Sequence, residues 1–465
     1  MRCIPTTGRA GRPTTEDMML ALLFYAYMTG QRSSRRIEGF CRTDAAYRVI
    51  CGGVIPDHST IARFLVNHER AMSDIFVEVL RLCVAAGLVK VDLLAVDGTK
   101  MGADAALDQN RTARWIREEI ASMLADARDT DQAEDQQPGL YATDELPEAL
   151  STPTGRLARL EQALALIEQQ DAEAAQQAAE RAAKARAEAA EGRRLPGRKP
   201  KDPQAALLRA EADETAVRTK ARTRHAARHT PPTDADDDAK AAVEAAVEAD
   251  PKVVKAVKAT AKAREAAAKA DRPATRANIT DPESRIMSTA NDSWLQGYNL
   301  QAVVNQAQII IAMDVCQDAN DLQQFQPMLA LTHTMLHAAG VSDPIGRILA
   351  DAGYCSEANL TAEGPDRLIA TTSSHKQRKA AHDTDSDPDP PPPDDASHIR
   401  KMEHKLRTEQ GAADYAKRSH IVEPIFAFKA NHNYRSFRRR GLLAAHSESL
   451  LMGLTHNLGK IFRQN

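Results

Sequence analysis

Two aspartates in this sequence each follow an apolar run and precede a tight glycine turn. Asp97 ends the apolar part of "LLAVDGTKM", and Asp351 ends that of "ILADAGY". A buried carboxylate without a partner is costly, so each must face water, a cationic side chain or a metal ion. The runs 93–96 and 345–350 predict strands. Side by side, these strands would present both carboxylates at one edge of a sheet.

Paired carboxylates at a sheet edge suit Mg²⁺ or Mn²⁺, which prefer oxygen ligands and retain bound water. Two such ions about 3.5–4 Å apart can stabilise the attacking and leaving oxygens of an in-line phosphoryl displacement. The alternative is that each aspartate only accepts hydrogen bonds in the turn after its strand, as aspartate often does. For one aspartate that alternative is favoured. Two matched cases point towards a metal site, which needs a third acid.

A third acid, Glu423, lies in the basic segment "DYAKRSHIVEPIFAFKANHNYRSFRRRGL". Pro424 follows it directly and lacks a backbone N–H, so the sequence leaves the position of Glu423 on its helix open. The segment also carries an aromatic residue and a run of cations, namely Tyr415, Arg418, Lys429, Arg435, Arg438, Arg439 and Arg440. The three adjacent arginines would bind phosphate oxygens through their positive charge, although a solvated basic helix end explains them too.

The N-terminal part of the chain predicts helices over residues 14–86. The first 42 residues hold seven arginines against three acids, and Arg35 and Arg36 lie in this basic part. A helical module with a basic edge is a candidate DNA-binding domain. A solvated charged helix face explains the same residues and, on these residues alone, is favoured.

The composition changes sharply over residues 103–275, which are rich in Ala, Glu, Gln, Arg and Lys and almost free of aromatic residues. The pattern predicts long helices joined by polar loops. A partly disordered helical insertion is nearly as well supported, because alanine-rich faces bury little area. The chain then divides into a helical domain at 1–90, a first core strand at 91–102, the insertion at 103–275, and the remaining core with a basic C-terminal region at 276–465.

Strand signals return after the insertion. The stretch "GYNLQAVVNQAQIIIAMDVCQ" predicts two strands with a turn near residues 305–308, the second strand covering 309–315. A helix ending at Gly340 follows, and "RLIATTS" could form a further strand. Residues 383–395, "DTDSDPDPPPPDD", hold too much charge and proline to pack and are expected to be disordered.

The overall composition narrows the class of protein. The formal net charge of −3 over 465 residues argues against a wholly basic nucleic-acid binder, although local clusters matter more. Six scattered cysteines form no CxxC pair, so reduced thiols are favoured over a disulfide framework or a zinc site. No signal peptide and no apolar run long enough to cross a bilayer are apparent. We therefore expect a cytoplasmic protein without membrane association.

Taken together and in order, several stretches resemble the bacterial insertion-sequence DDE transposases, enzymes with an RNase H-like catalytic core. They are "GRPTTEDMMLALLFYAYMTGQRSSRRIEGFCRTDAAYRVI", "PDHSTIARF", "LLAVDGTKM", "NITDPESRIM", "QGYNLQAVV", "ILADAGY" and "VEPIFAFK…FRRRG". The likeness runs to about residue 441 and leaves out the 103–275 insertion and the acidic loop. It implies an α/β fold: an RNase H-like mixed sheet flanked by helices, with an all-α N-terminal domain and a long helical insertion.

The resemblance also implies roles for individual residues. Asp97, Asp351 and Glu423 would bind two Mg²⁺ or Mn²⁺ ions. Tyr415, Arg418 and Lys429 would belong to the family's tyrosine–arginine–glutamate–lysine signature, and both cations would contact the DNA backbone or a terminal phosphate. Lys429 lies one residue closer to Glu423 than in the usual pattern.

The activity implied is DNA transposition. A metal-activated water would hydrolyse a phosphodiester at an element end, and the freed 3′ hydroxyl would attack target DNA. The partners would be terminal inverted repeats and target DNA, with a homodimer in the DNA complex. Two alternatives remain: an RNase H-like nuclease without strand transfer, and a catalytically inactive, DNA-binding descendant of a transposase.

Overall fold

The computed structural model describes residues 15–134, 153–192, 202–226, 237–269, 275–289, 293–371, 391–432 and 434–463. Most of the acidic segment 383–395, which we expect to be disordered, lies outside the described residues. The chain divides into two compact units. The first, here called the sheet unit, comprises residues 1–111, 140–163 and 277–465, and the second, the helical unit, comprises residues 112–139 and 164–276.

The N-terminal region is helical, as the sequence predicts. Its helices are α1 (Thr15–Met28), α2 (Ser34–Thr43), α3 (Ala45–Ile50), α4 (His58–Asn67) and α5 (Met72–Ala85). Aspartates begin two of them: Asp44 accepts backbone N–H groups at the start of α3, and Asp57 does so at the start of α4. Such caps satisfy donors that have no partner inside the helix.

The main sheet has six strands of mixed direction, with β6 paired to β5 and the other five in the order β4-β5-β1-β7-β8. Its strands are β1 (Leu93–Gly102), β4 (Arg285–Ser288), β5 (Trp294–Asn305), β6 (Ile310–Cys316), β7 (Arg347–Ala350) and β8 (Asp366–Ile369). β1 is antiparallel to β5 and parallel to β7. A separate two-stranded sheet pairs β2 (Asn110–Thr112) with β3 (Arg276–Asn278).

Helices connect and cover this sheet. They are α11 (Phe325–Ala338), α12 (Glu357–Thr361), α13 (His398–Arg407), α14 (Glu409–Ala416), α15 (Arg418–Phe426), α16 (Phe428–Asn431) and α17 (Leu442–Phe462). Val303 and Ile311 belong to one hydrophobic cluster with Phe325 of α11, and Leu300 belongs to another with Leu451 of α17. The alternation of β5 side chains between two clusters means that both faces of the sheet are covered. This mixed α/β architecture is consistent with an RNase H-like fold.

The helical unit contains most of the alanine-rich sequence. The helices of this part of the chain are α6 (Ala113–Glu134), α7 (Pro153–Ala190), α8 (Pro203–Ala226), α9 (Asp237–Glu248) and α10 (Pro251–Lys269). Strands β1 and β5, which precede and follow this stretch, are paired neighbours in the main sheet. The boundaries 103 and 275 that the sequence indicates for an insertion stay a prediction.

The C-terminal end of β1 differs from the sequence prediction. The sequence predicts that a strand ends at Asp97, whereas β1 continues to Gly102. The reason is that the antiparallel pairing with β5 persists to Gly102, while the parallel pairing with β7 stops at Ala95. Asp97 therefore lies inside β1, just beyond the end of its parallel pairing. In the described part of the chain, no helix is both long and apolar enough to cross a membrane.

Candidate active site

The sheet register brings Asp97 and Asp351 together. β1 and β7 are parallel, with Leu93 opposite Arg347 and Ala95 opposite Leu349. Continuing that register by two residues aligns Asp97 with Asp351. The two aspartates therefore follow the same end of a parallel strand pair, where the sequence analysis expected a shared edge.

One cation joins the two carboxylates. Nη2 of Arg418, the first residue of α15, lies 2.8 Å from Asp97 Oδ2 and 4.0 Å from Asp351 Oδ2. The Arg418 side chain is 11% exposed and that of Asp97 18%, whereas that of Asp351 is 36% exposed. The arrangement is a carboxylate pair that converges on a single positive charge at a partly buried place.

The second oxygen of each aspartate has a local role. Asp97 Oδ1 accepts the backbone N–H of Gly98 at 2.9 Å, and Asp351 Oδ1 accepts that of Gly353 at 2.8 Å. The alternative that each aspartate accepts a local hydrogen bond therefore holds, for Asp97 within β1 and for Asp351 in the turn that follows it, but it uses only Oδ1. Oδ2 of each aspartate remains directed towards Arg418.

Burial and charge shift the ionisation of these groups. Burial raises the pKa of Asp97 to about 6, because Arg418 only partly offsets the lost hydration and Asp351 adds a like charge. Burial acts to lower the pKa of Arg418, but Asp97 and the other nearby anionic groups raise it above its usual value. Arg418 is thus held as a cation beside a carboxyl that is costly to ionise.

Tyr415 lies beside the same charges. Burial raises its pKa to about 12, and Arg418, Asp351 and Asp97 all act on it electrostatically. The Tyr415 hydroxyl and Nε of Arg418 are both buried and have no hydrogen-bond partner among the described residues. Two buried polar atoms at one place indicate a site that could accept a further polar group.

Glu423 is an exposed residue of α15. Its neighbours Ile421, Val422 and Ile425 on the same helix face the core. The described residues contain no group of three His, Cys, Asp or Glu side chains placed to hold a metal ion. Two members of the expected triad are therefore together, and the place of Glu423 as the third ligand stays a prediction.

Lys429 contacts the protein itself. Its Nζ donates to Thr99 Oγ1 at 2.9 Å and to the carbonyl oxygen of Lys100 at 2.8 Å, both on β1. Burial and the nearby Arg435 lower its pKa. α15 ends at Phe426 and Lys429 belongs to the separate helix α16, so the shortened spacing to Glu423 coincides with a helix break. Lys429 therefore links helix α16 to strand β1, which also carries Asp97.

The remaining basic residues fall into two groups. Arg439 pairs with Glu69, both mostly buried, and Arg440 pairs with Asp104 at 3.0 Å. Both arginines therefore have an anionic partner within the protein, and the patch that Arg438, Arg439 and Arg440 would form for phosphate binding stays a prediction. The other candidate DNA-binding arginines are exposed, namely Arg35, Arg36, Arg435 and Arg438.

Three polar side chains near the aspartates were missed by sequence reasoning. Asn299 and Gln301 are fully buried on β5, and both donate to Asp321 Oδ1 at 2.7 Å. Asp321 also lies 3.7 Å from Lys100 Nζ. A signal was available, because alternate amides inside an apolar strand are rare unless they have a buried partner.

The site has the donor chemistry that a divalent cation needs. Carboxylate oxygens are the ligands Mg²⁺ and Mn²⁺ prefer, and Arg418 Nη2 stands in for a cation between Asp97 and Asp351. A side chain at Gly353 would fill the adjoining space, since its Cβ would lie 3.0 Å from Asp351 Oδ1. The two aspartates fit a bound cation, and Glu423 as a third ligand stays a prediction.

Two family models match the chain. Residues 2–67 match a transposase domain (DUF772), and residues 393–462 match a transposase DDE domain. The second match includes Tyr415, Arg418, Glu423 and Lys429, while Asp97 and Asp351 lie outside both. No curated protein and no solved structure matches the chain.

Proposed function

We propose that this chain, which belongs to the insertion-sequence DDE transposases, cleaves DNA at the ends of its element and transfers the cut strand to target DNA. The observation that carries the proposal is the convergence of Asp97 and Asp351 on one cationic group at the end of a parallel strand pair. Such a carboxylate pair suits metal-assisted phosphoryl transfer. An RNase H-like core is part of the same proposal.

Two Mg²⁺ or Mn²⁺ ions are the proposed cofactors, and when bound they would activate a water and stabilise the leaving oxygen of the phosphodiester. Asp97, Asp351 and Glu423 are the proposed ligands. The chain supports this because each aspartate accepts a glycine N–H through Oδ1, which leaves Oδ2 available for the cation. Partial burial around Arg418 limits the water that competes for the same oxygens.

The cationic side chains would bind the DNA. Arg418 lies at the reacting centre, and its planar guanidinium can make paired hydrogen bonds to a phosphate. Tyr415 has a buried hydroxyl beside it that could donate to the same phosphate. Arg435 and Arg438 are exposed on the C-terminal side, and Arg35 and Arg36 on α2. We assign these four to the DNA backbone, and terminal inverted repeats bound by a homodimer as the assembled substrate.

The first test concerns cleavage. Asp97→Asn, Asp351→Asn and Glu423→Gln each preserve shape and remove a ligand charge. Each should lower Mg²⁺-dependent cleavage of element-end DNA by about 10³-fold or more, because the acids would act as one site. Cleavage would be measured on labelled end DNA, together with binding of the same DNA and thermal unfolding.

Asp92→Asn is the matched control, because Asp92 is an exposed acid that precedes the same strand. It should cleave like the unmodified protein. Full cleavage by any one of the three site variants would remove that residue from the active site. The same reactions with a target plasmid separate two activities: joined products indicate a transposase, and cut but unjoined ends indicate a nuclease without strand transfer.

A second function is favoured by two observations. Glu423 is exposed, and Lys429 Nζ donates hydrogen bonds to β1. Both features would suit a catalytically inactive descendant that only binds DNA. That protein would bind element ends but show no nicking with Mg²⁺ or Mn²⁺ at any concentration, whereas the proposed transposase nicks with either ion.

A further inference from the structure

We propose that Asp321 supplies an additional carboxylate to the cation site of Asp97 and Asp351. This inference rests on the proposed function, because it assigns a further residue to that site. Asp321 lies in the loop between β6 and α11, and neither its sequence context nor the family matches point to it.

The glycines that follow the two aspartates both lie against Asp321. A Cβ at Gly98 would overlap Gln301 Nε2 and would come 2.6 Å from Asp321 Oδ1. A Cβ at Gly353 would come 3.0 Å from Asp351 Oδ1 and 3.3 Å from Asp321 Oδ2. The absence of side chains at Gly98 and Gly353 therefore leaves room in which one carboxylate lies beside the backbone that follows each aspartate. Glycine at these positions keeps that space open.

The orientation of Asp321 is fixed by buried amides. Oδ1 accepts from Asn299 Nδ2 and Gln301 Nε2, each at 2.7 Å. Gln301 is itself held by the Tyr354 hydroxyl. Because both amides hold Oδ1, Oδ2 is the oxygen that lies towards Gly353 and Asp351. Buried groups that fix a carboxylate in this way are typical of the support around metal ligands.

The charges at this place favour a further cation. Asp351 and Asp321 both lie against the Cβ position of Gly353, and Arg418 Nη2 lies within 4.0 Å of both Asp97 and Asp351, so the three carboxylates are neighbours. Among the described residues, Arg418 pairs with Asp97, and Lys100 Nζ lies 3.7 Å from Asp321 Oδ1. Like charges crowded in a partly buried site repel unless cations offset them. The three carboxylates do not yet surround one point at ligand distance in the described residues. Metal binding therefore entails side-chain rotation, as Asp97 leaves Arg418.

Substitution can separate charge from packing here. In Asp321→Asn the remaining carbonyl oxygen can still accept from Asn299 and Gln301, so the hydrogen bonds that hold the loop are kept and only the charge is lost. A purely structural role predicts that this variant behaves like the unmodified protein. If Asp321 is a cation ligand, the Asp321→Asn variant should bind the cation more weakly than the unmodified protein.

The test is Mn²⁺ binding to the full-length protein without DNA, measured by calorimetry and electron paramagnetic resonance. Asp321→Asn should weaken binding at least tenfold, which is the usual cost of losing support at a metal site. Asp318→Asn, in the same loop, is the matched control and should bind Mn²⁺ normally. Unchanged binding by Asp321→Asn, or an equal loss in Asp318→Asn, would overturn the inference.

Further variants in the same Mn²⁺-binding measurement distinguish failure of this inference from failure of the proposed function. Asp97→Asn and Asp351→Asn should also lose Mn²⁺ binding; if neither does, both the proposed function and this inference fail. If both do and Asp321→Asn does not, this inference alone fails. Should Asp321→Asn unfold, Gly353→Ala keeps all three carboxylates but fills the space between two of them. It should weaken Mn²⁺ binding by about tenfold, and normal binding would count against the inference.

Discussion

The sheet unit and the helical unit are built from different cores. In the sheet unit, large side chains such as Tyr298, Leu300 and Ile311 are fully buried. In the helical unit, one buried cluster consists of four alanines and another centres on Val247 and Val253, so far less apolar area is removed from water per residue. Two regions with a similar fraction of hydrophobic residues can therefore form cores that bury very different amounts of apolar area.

The two units also use charge differently. In the helical unit, pairs such as Arg222–Glu244 are exposed and add little stability. In the sheet unit, Arg32 and Glu448 form a buried pair at 2.8 Å, with the Arg32 guanidinium 4.1 Å from the Tyr434 ring centre. Breaking one partner of such a pair leaves an unpaired buried charge. A tightly packed unit of this kind can hold the two aspartates in place, whereas an alanine-based unit offers no comparable support.

The largest contrast should appear when the same side chain is truncated in each unit. Val303 of β5 and Val253 of α10 are both fully buried. Val303→Ala should lower the free energy of unfolding by about 2–3 kcal/mol, because its rigid surroundings cannot collapse into the cavity. Val253→Ala should cost about 1 kcal/mol, because a loosely packed helix pair can close the gap.

The protein offers one tryptophan in each unit for this measurement. Trp115 belongs to α6 of the helical unit and Trp294 to β5 of the sheet unit. Urea unfolding followed by fluorescence in Trp115→Phe and Trp294→Phe backgrounds reports each unit separately. Equal losses in both backgrounds would mean that the two cores are equally rigid, contrary to the comparison.

Within the sheet unit, neighbouring arginines should separate stability from DNA binding. Arg439 is mostly buried and paired with Glu69, so Arg439→Ala should destabilise the sheet unit by about 1–3 kcal/mol. Arg438 is exposed, so Arg438→Ala should leave stability within about 0.5 kcal/mol. Thermal and urea unfolding would measure both.

The same pair of variants sharpens the DNA-binding assignment. Arg438→Ala should reduce the slope of log affinity against log salt concentration by about one, because one phosphate contact is lost. Arg439→Ala, once corrected for the folded fraction, should leave that slope unchanged. A reversed pattern would assign the phosphate contact to Arg439.

The smallest expected effect is a pH dependence confined to the sheet unit. Burial lowers the pKa of His456 to about 4, and its Nε2 lies 2.9 Å from the carbonyl oxygen of Gln308. The unfolded chain takes up a proton near pH 6.5 and the folded one only near pH 4, so stability is complete above pH 6.5 and is lost as the pH falls. The loss should be roughly 1–2 kcal/mol between pH 5.5 and pH 5.

His456→Gln keeps a donor for the Gln308 carbonyl and removes the titrating imidazole. The loss of stability at acid pH should therefore disappear from the unfolding transition that Trp294 fluorescence reports. The Trp115 transition should not respond to the substitution. If the variant loses as much stability at acid pH as the unmodified protein, the pH dependence belongs to another group.

Much of the local structure follows from the sequence. Helices over the N-terminal region, the paired strands β5 and β6, and a strand before each of Asp97 and Asp351 are all confirmed. These features depend on side-chain periodicity and turn residues within a short window, which is what a sequence displays. The expectation that a cationic partner or metal would face Asp97 also needed only the cost of a buried carboxylate, and Arg418 is that partner.

What the sequence could not specify are the contacts between distant segments. The register of β1 against β7 decides that Asp97 meets Asp351, and the direction of α15 decides that Arg418 reaches them while Glu423 is exposed. The same packing buries most of Arg439 and brings Asp321 against Gly98 and Gly353. Each of these outcomes depends on how whole strands and helices align in three dimensions. The local pattern around one residue does not encode that alignment, because a one-residue change of register would turn every side chain to the opposite face.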